Sequence, residues 1–213
     1  MARGKKYELV NKTYELLQHT SPQDITIRMI AEAADCTSTV IYRHYENLDH
    51  LILIASIRFL EDYTKNLGNI MSTETDSLEL LIKMWREFAV QSFKQVDVFE
   101  MLFWGKYRNR LGEAIMEYYQ LFPENWQNLN GVFTSVFFNN KLEERNYIIV
   151  QQAASAGYFP QENIRLFSDL QCYLFHGFLI EYRATYREPG KAEEGVERFM
   201  KMLDYLIASN RRR

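Results

Sequence analysis

The chain has 213 residues, of which 47% are hydrophobic and 15% aromatic, and a formal net charge of −3. That is enough apolar material for a proper core, without the whole-chain basic excess that usually marks a nucleic-acid binder. Cys36 and Cys172 belong to no CxxC pattern, which argues against a disulfide framework or a zinc site. Apolar runs such as 51–55 are too short to cross a bilayer. The charged start, 1–6, has no apolar stretch behind it, so no signal peptide and no membrane association are expected, and a cytoplasmic location is.

Helical periodicity runs through the chain. Val10, Tyr14 and Leu17 predict a first helix from about Lys5 to Gln18. Residues 19–24 have turn chemistry. Ile27, Ile30, Ala31 and Ala34 predict a short second helix, with Thr26 as its N-cap. A third runs from about Thr37 to Tyr45, with Thr37 as N-cap, so only Asp35 and Cys36 separate it from the second. Asn47 is expected to cap a longer helix from Leu48 to Leu67, which Gly68 would end. Residues 71–76 read as a loop. From Ser77 to Trp104 there is neither Gly nor Pro, which predicts a long helix with a possible break near Asp97. Pro123 can start a helix to about Phe138, and another is expected to end at Gly157. Two final helices follow, with stripes at Phe167, Leu170, Leu174 and Phe178 and at Val196, Phe199, Met200, Leu203, Leu206 and Ile207, joined through 188–190. The fold class expected is all-α.

Helix, tight turn, helix over residues 27–45 is the informative feature. If Cys36, Ile41 and Tyr45 turn inward, Ser38, Thr39, Tyr42, Arg43 and His44 remain outside. In a helix-turn-helix the second helix enters the major groove. Ser and Thr can hydrogen-bond base edges, the Thr39 methyl suits a thymine methyl, and Arg43 can grip guanine through two bonds. Tyr42 and His44 suit phosphates. Thr26, Arg28 and Thr37, near the starts of the two helices, complete the candidate DNA-binding set. Residues 1–50 hold six Lys/Arg against seven Asp/Glu, so any contact must come from local placement. Lys5 and Lys6 could form a basic arm or a solvated terminus.

The stretch from Ile25 to Tyr45 resembles the signature of the TetR (tetracycline repressor) family of transcription regulators, at Thr26, Ile30, Ala31, Ala34, Thr37, Ile41, Tyr42, His44 and Tyr45, with Leu51 matching the leucine that opens the connecting helix. Three positions depart from the pattern. Asp35 stands where a turn glycine is usual, and Asp tolerates a left-handed backbone better than most residues. Thr39 replaces a common small residue. Leu48 replaces a lysine that usually meets a phosphate, and with one cation fewer the salt dependence of binding should be shallower. The resemblance implies a three-helix DNA-binding domain over residues 1–50, and an effector-binding and dimerisation domain over 51–213. It further implies a homodimer on near-palindromic double-stranded DNA. The dimer interface would draw on Tyr173, His176, Gly177, Ile180, Phe199, Leu203 and Leu206, with Gly177 allowing close approach at the seam.

A sensing domain needs a cavity, and pockets are mostly apolar with a few polar anchors. Trp85, Phe88, Phe103, Trp104, Tyr107, Trp126, Tyr147, Gln151 and Tyr173 are the candidate wall of a pocket for an apolar or aromatic small-molecule effector. Repression relieved by ligand is the expected sign. The alternative is a dimeric helix-turn-helix regulator that has no effector and acts through a protein partner. No Ser/His/Asp arrangement, metal-ligand spacing or Gly-rich phosphate loop points to an enzyme, a metal site or a cofactor.

Overall fold

The computed structural model describes residues 4–125 and 139–211, and those residues form helices and connecting turns with no β-strand among them. The helix expected from Pro123 begins as a 3₁₀ turn, Pro22–Asp24 having its counterpart in Pro123–Asn125, and the rest of it lies outside the described residues. α1 (Gly4–Leu17) buries Leu9, Val10, Thr13 and Leu17. Thr13 is tolerated there because its hydroxyl donates to the Leu9 carbonyl at 2.8 Å. α2 (Ile27–Ala33) starts at Thr26, whose hydroxyl accepts the Met29 N–H at 3.3 Å. α3 (Ser38–His44) follows Thr37, which has the extended backbone of an N-cap but makes no side-chain capping bond. α4 (Leu48–Ser56) is capped by Asn47, whose side chain accepts the His50 N–H at 2.9 Å.

The single helix expected from Leu48 to Leu67 is instead two. α4 stops at Ser56, a 3₁₀ turn spans Ile57–Leu60, and α5 runs over Glu61–Thr73. Ser56 donates its hydroxyl to the Ile52 carbonyl at 2.8 Å, a back-bond that loosens and bends a helix. Gly68 does not stop α5. It lies inside the helix facing open space, at a cost of about 1 kcal/mol against Ala, so the loop expected at 71–76 shrinks to 74–76. α6 (Ser77–Lys94) is capped by Asp76, whose carboxylate accepts the Leu78 and Glu79 N–H groups at 2.9 Å. The chain then breaks at Gln95, two residues before Asp97, and resumes as α7 (Val96–Trp104). Gly105 ends α7 where a Cβ would lie 2.3 Å from the Met101 carbonyl oxygen, so only glycine fits.

α8 (Leu111–Leu121), α9 (Leu142–Ser155), α10 (Ile164–Tyr182) and α11 (Lys191–Asn210) complete the described elements. α6 is the central post: α5, α9 and α11 all pack on it. Its Trp85 and Phe88 rings meet Phe175 of α10 at 5.4 and 5.0 Å, and Phe175 meets Phe199 of α11 at 4.9 Å, spacings at which aromatic pairs attract beyond simple burial. Gly195 lets α11 approach Phe93 of α6 so closely that a Cβ would sit 2.5 Å from the ring. At the other end, α1 packs along α4, α2 against α3, and α4 against α8 and α7. α4 thus lies between the short N-terminal helices and the rest, with the side chains from Leu51 to Ser56 all buried.

Candidate functional site

The turn between α2 and α3 is closed by two hydrogen bonds. The Cys36 N–H donates to the Ala31 carbonyl at 2.9 Å and the Asp35 N–H to the Glu32 carbonyl at 3.2 Å, the paired bonds of a Schellman cap. That cap needs a left-handed residue, and Asp35 supplies it with φ +46°. Lys5 adds a third bond from outside, donating to the Ala34 carbonyl at 2.6 Å. α3 therefore leaves α2 at a fixed angle.

Within α3, Ile41 is fully buried and Tyr45 just beyond it is 2% exposed. The Tyr45 hydroxyl donates to the Lys6 carbonyl at 3.0 Å, and burial, with the Glu117 charge nearby, pushes its pKa far above the ordinary tyrosine value. With those two side chains clamped, the other side of the helix faces out. Thr39, Arg43 and His44 are exposed, Tyr42 is 56% exposed, and Ser38 is half-buried. Thr26, Arg28 and Thr37 are exposed on the same short segment. Arg43 and His44 sit in the last turn of α3, where positive charge complements the helix dipole. Leu48 is half-buried against the core, so position 48 itself supplies no cation to the start of α4.

Two polar latches join this segment to the larger body. In one, Lys6 donates to Glu117 of α8 at 2.7 Å while His50 Nε2 lies 2.9 Å from the other carboxylate oxygen. Burial alone would raise the Glu117 pKa, but the bonds from Lys6 and His50 outweigh it and hold the carboxyl below the ordinary value. Lys5 and Lys6 are thus engaged within the protein rather than extended as an arm. In the other latch, Ser21 donates to the buried Asp97 carboxylate at the start of α7. A cleft of about 290 Å³ opens beside it. There Tyr107 and Lys106 donate to Asp49 of α4 at 3.0 and 2.7 Å.

A small cavity of about 30 Å³ lies between α5, α6 and α9. Of the aromatic residues expected to wall a pocket, Trp85 and Phe88 line it. Phe103 is buried close by, with the Arg145 guanidinium 5.1 Å from its ring centre. Trp104 lies elsewhere, stacked on His176 at 4.5 Å, and Tyr107 faces the cleft at α4. Tyr147 lies under Arg165, while Gln151 and Tyr173 are exposed. Trp126 lies outside the described residues. The cavity wall on α9 is instead Leu142, Arg145, Asn146 and Ile149. These positions follow the i, i+3, i+4, i+7 spacing of one helix face, so the pattern carried the signal, although a charged residue on that stripe masks it.

The hairpin of α10 and α11 corrects the expected contact face. Phe199 and Leu203 point into the protomer and are fully buried, because α11 packs that stripe on α6. Leu206 and His176 are half-buried. Gly177 lies in open space, and the close helix crossing is at Gly195. What remains outside is a row of large apolar side chains on α10, namely Leu166, Leu170, Tyr173 and Ile180, with Met202 and Tyr205 on α11. Tyr173, Ile180 and Tyr205 are 63%, 56% and 77% exposed.

Among the described residues no group of His, Cys, Asp or Glu side chains gathers to hold a metal, and no helix is long and apolar enough to cross a membrane. No protein-family model and no curated protein matches the chain. Solved structures do. A TetR transcription regulator from Haloarcula marismortui is similar over 98% of each chain, with a TM-score of 0.63 and 15% identity. A transcriptional regulator from Cytophaga hutchinsonii is similar over 96% of this chain and 97% of its own, with a TM-score of 0.62 and 12% identity. FadR of Thermus thermophilus, a TetR-family repressor solved in complex with lauroyl-CoA, covers 93% of this chain and 92% of its own, with a TM-score of 0.56 and 14% identity. Over nearly its whole length, the chain has the all-α fold of the TetR-family transcription regulators.

Proposed function

We propose that this protein is a dimeric, sequence-specific DNA-binding transcription regulator, with residues 1–50 reading DNA and residues 51–213 carrying dimerisation and the response to a small apolar or aromatic effector. The observation that carries the reading is the two-sided character of α3. Ile41 and Tyr45 are clamped inside, while Thr39, Tyr42, Arg43 and His44 face outward after a sharp Schellman turn. An α-helix presented in this way fits the major groove, where hydroxyls, a threonine methyl and a guanidinium can read base edges. Thr26, Arg28, Thr37 and Ser38 flank that face and suit the sugar-phosphate backbone or neighbouring bases.

The exposed apolar row on α10 and α11 supports pairing with a second copy, since a patch of this kind on a soluble protein marks an interaction surface. Two copies related by a two-fold axis would set two α3 helices about 34–36 Å apart, one turn of B-DNA. Repression relieved by ligand is the expected sign. A cavity of about 30 Å³ has room for water rather than for an organic molecule, so an effector must part its walls. It can shift DNA affinity only by its different affinities for the two arrangements.

Selection of bound duplexes from a random pool tests the reading. Enrichment of a near-palindromic site with half-sites one helical turn apart is expected. Recovery of no sequence above background at low salt would count against it.

A further inference from the structure

The cavity between α5, α6 and α9 has an apolar wall and a cationic one. Leu81, Met84, Trp85, Phe88 and Ile149 supply the first. Arg145, 3% exposed, supplies the second. No carboxylate is among the described lining residues. Among its contacts, the guanidinium Nε donates to the Asn139 carbonyl at 2.7 Å, and its carbon lies 5.1 Å from the centre of the Phe103 ring. Burial lowers its pKa to about 10, so it stays charged at neutral pH.

A polar network lies behind the wall. The Gln171 side-chain oxygen is already taken, by Trp85 Nε1 at 2.8 Å and by Asn146 Nδ2 at 3.2 Å. Asn146 Nδ2 is held as well by the Ser168 carbonyl and hydroxyl, at 3.0 and 2.9 Å. That leaves Gln171 Nε2, on a fully buried side chain, with no hydrogen-bond partner among the described residues. Such an unmet buried donor is uncommon and calls for an explanation. A buried cation beside an aromatic wall suits a ligand with an anionic acceptor group on an apolar body.

We propose that this cavity takes a small organic monocarboxylate, its carboxylate against the Arg145 guanidinium and its apolar part against Trp85, Phe88 and Met84. The inference rests on the effector-response reading above and gives that effector a chemical class. It also suggests how occupancy reaches the DNA-facing end. Any ligand larger than water must push α6 and α9 apart, and α6 runs through Gln95 directly into α7, where Asp97 holds Ser21.

The test is calorimetric titration of the full-length protein with phenylacetate and octanoate, each against its amide, phenylacetamide and octanamide, which keep the shape and lose the charge. The acids should bind at least about tenfold more tightly than the amides. Arg145→Gln should bring the acid-to-amide ratio close to one, and Arg145→Lys should restore part of it. Should either variant fail to fold, thermal melting of the wild-type protein decides: the acids must raise Tm in a concentration-dependent way that the amides do not. Equal binding of acids and amides, no acid binding up to about 10 mM, or an acid preference that survives Arg145→Gln overturns the proposal. The two readings fail separately. Acids that bind through Arg145 without changing DNA affinity leave this site standing and remove the effector role. A neutral compound that releases DNA while acids do not bind keeps the effector role and removes this site.

Discussion

The Ser21 hydroxyl donates to the Asp97 carboxylate, tying the turn between α1 and α2 to the first turn of α7. Asp97 is 95% shielded from solvent, accepts from the Tyr186 hydroxyl at 3.2 Å and pairs with Arg183 and Arg187 at 3.4 and 3.7 Å. Asp97→Asn keeps the shape and removes the charge, so urea unfolding should show a loss of about 1.5–3 kcal/mol. Ser21→Ala should cost about 1 kcal/mol. Both variants should keep the wild-type order of preference among DNA sequences, since neither residue lies on the outward face of α3. A changed order of preference would argue that the latch shapes the reading face itself.

Asp35 holds a left-handed backbone, and that gives a prediction with opposite signs. Asp35→Gly should be neutral or slightly stabilising, because glycine adopts φ +46° without strain. Asp35→Val should destabilise by about 1–2 kcal/mol or more, from the clash of a Cβ-branched side chain in that conformation. Thermal melts of the two variants beside the wild type check it. Equal melting of both would mean that the turn relaxes out of the Schellman geometry.

The apolar row on α10 and α11 predicts the oligomeric state. Ile180→Glu with Tyr173→Glu should convert a dimer to monomers in sedimentation velocity while leaving each protomer folded, with Tm lowered only by the lost association, since both side chains are exposed within one protomer. Phe199→Ala should instead unfold the protomer by about 3–5 kcal/mol, because it empties part of the aromatic core. A double Glu variant that stays dimeric would move the interface elsewhere.

Glu117 predicts an acid limb in stability. Its pKa is lowered on folding, so its contribution is complete above the unfolded glutamate value of about 4.3 and is lost as pH falls through the lower folded value. Glu117→Gln should therefore lower stability at neutral pH and flatten the fall between about pH 5 and pH 3. Parallel pH profiles of variant and wild type would show that the Lys6–Glu117–His50 latch contributes nothing.

The helices were legible in the sequence wherever apolar spacing, a capping residue and a turn agreed. Thr26, Asn47 and Gly157 stand at helix ends as expected, and the outward set on α3 followed from placing Ile41 and Tyr45 inside. Breaks made by side chains were harder to see. The helix after Leu48 gives way at Ser56, whose hydroxyl bonds its own backbone, and nothing in local composition separates such a serine from a harmless one. Gly68 and Gly177 looked like a stop and a seam, yet both face open space, whereas Gly105 and Gly195 meet a backbone oxygen and a Phe93 ring. Which glycine is sterically required depends on what packs opposite. The same holds for Phe199 and Leu203: an apolar stripe shows that a helix buries one face, and only tertiary packing decides whether α6 or a second copy covers it. Arg145 escaped notice because a lone arginine on an apolar helix face resembles a solvated one until its burial is known.

The most direct measurement is fluorescence anisotropy with the duplex enriched by selection, using wild type, Thr39→Ala with Tyr42→Ala, and Arg43→Ala. All three side chains are exposed, so the variants should melt within a degree or two of wild type. The account predicts that the double variant loses at least tenfold in affinity. Arg43→Ala should lose about 1–3 kcal/mol, concentrated at one base position if it pairs with guanine. Wild-type affinity in both variants, with folding intact, would contradict the claim that α3 reads DNA.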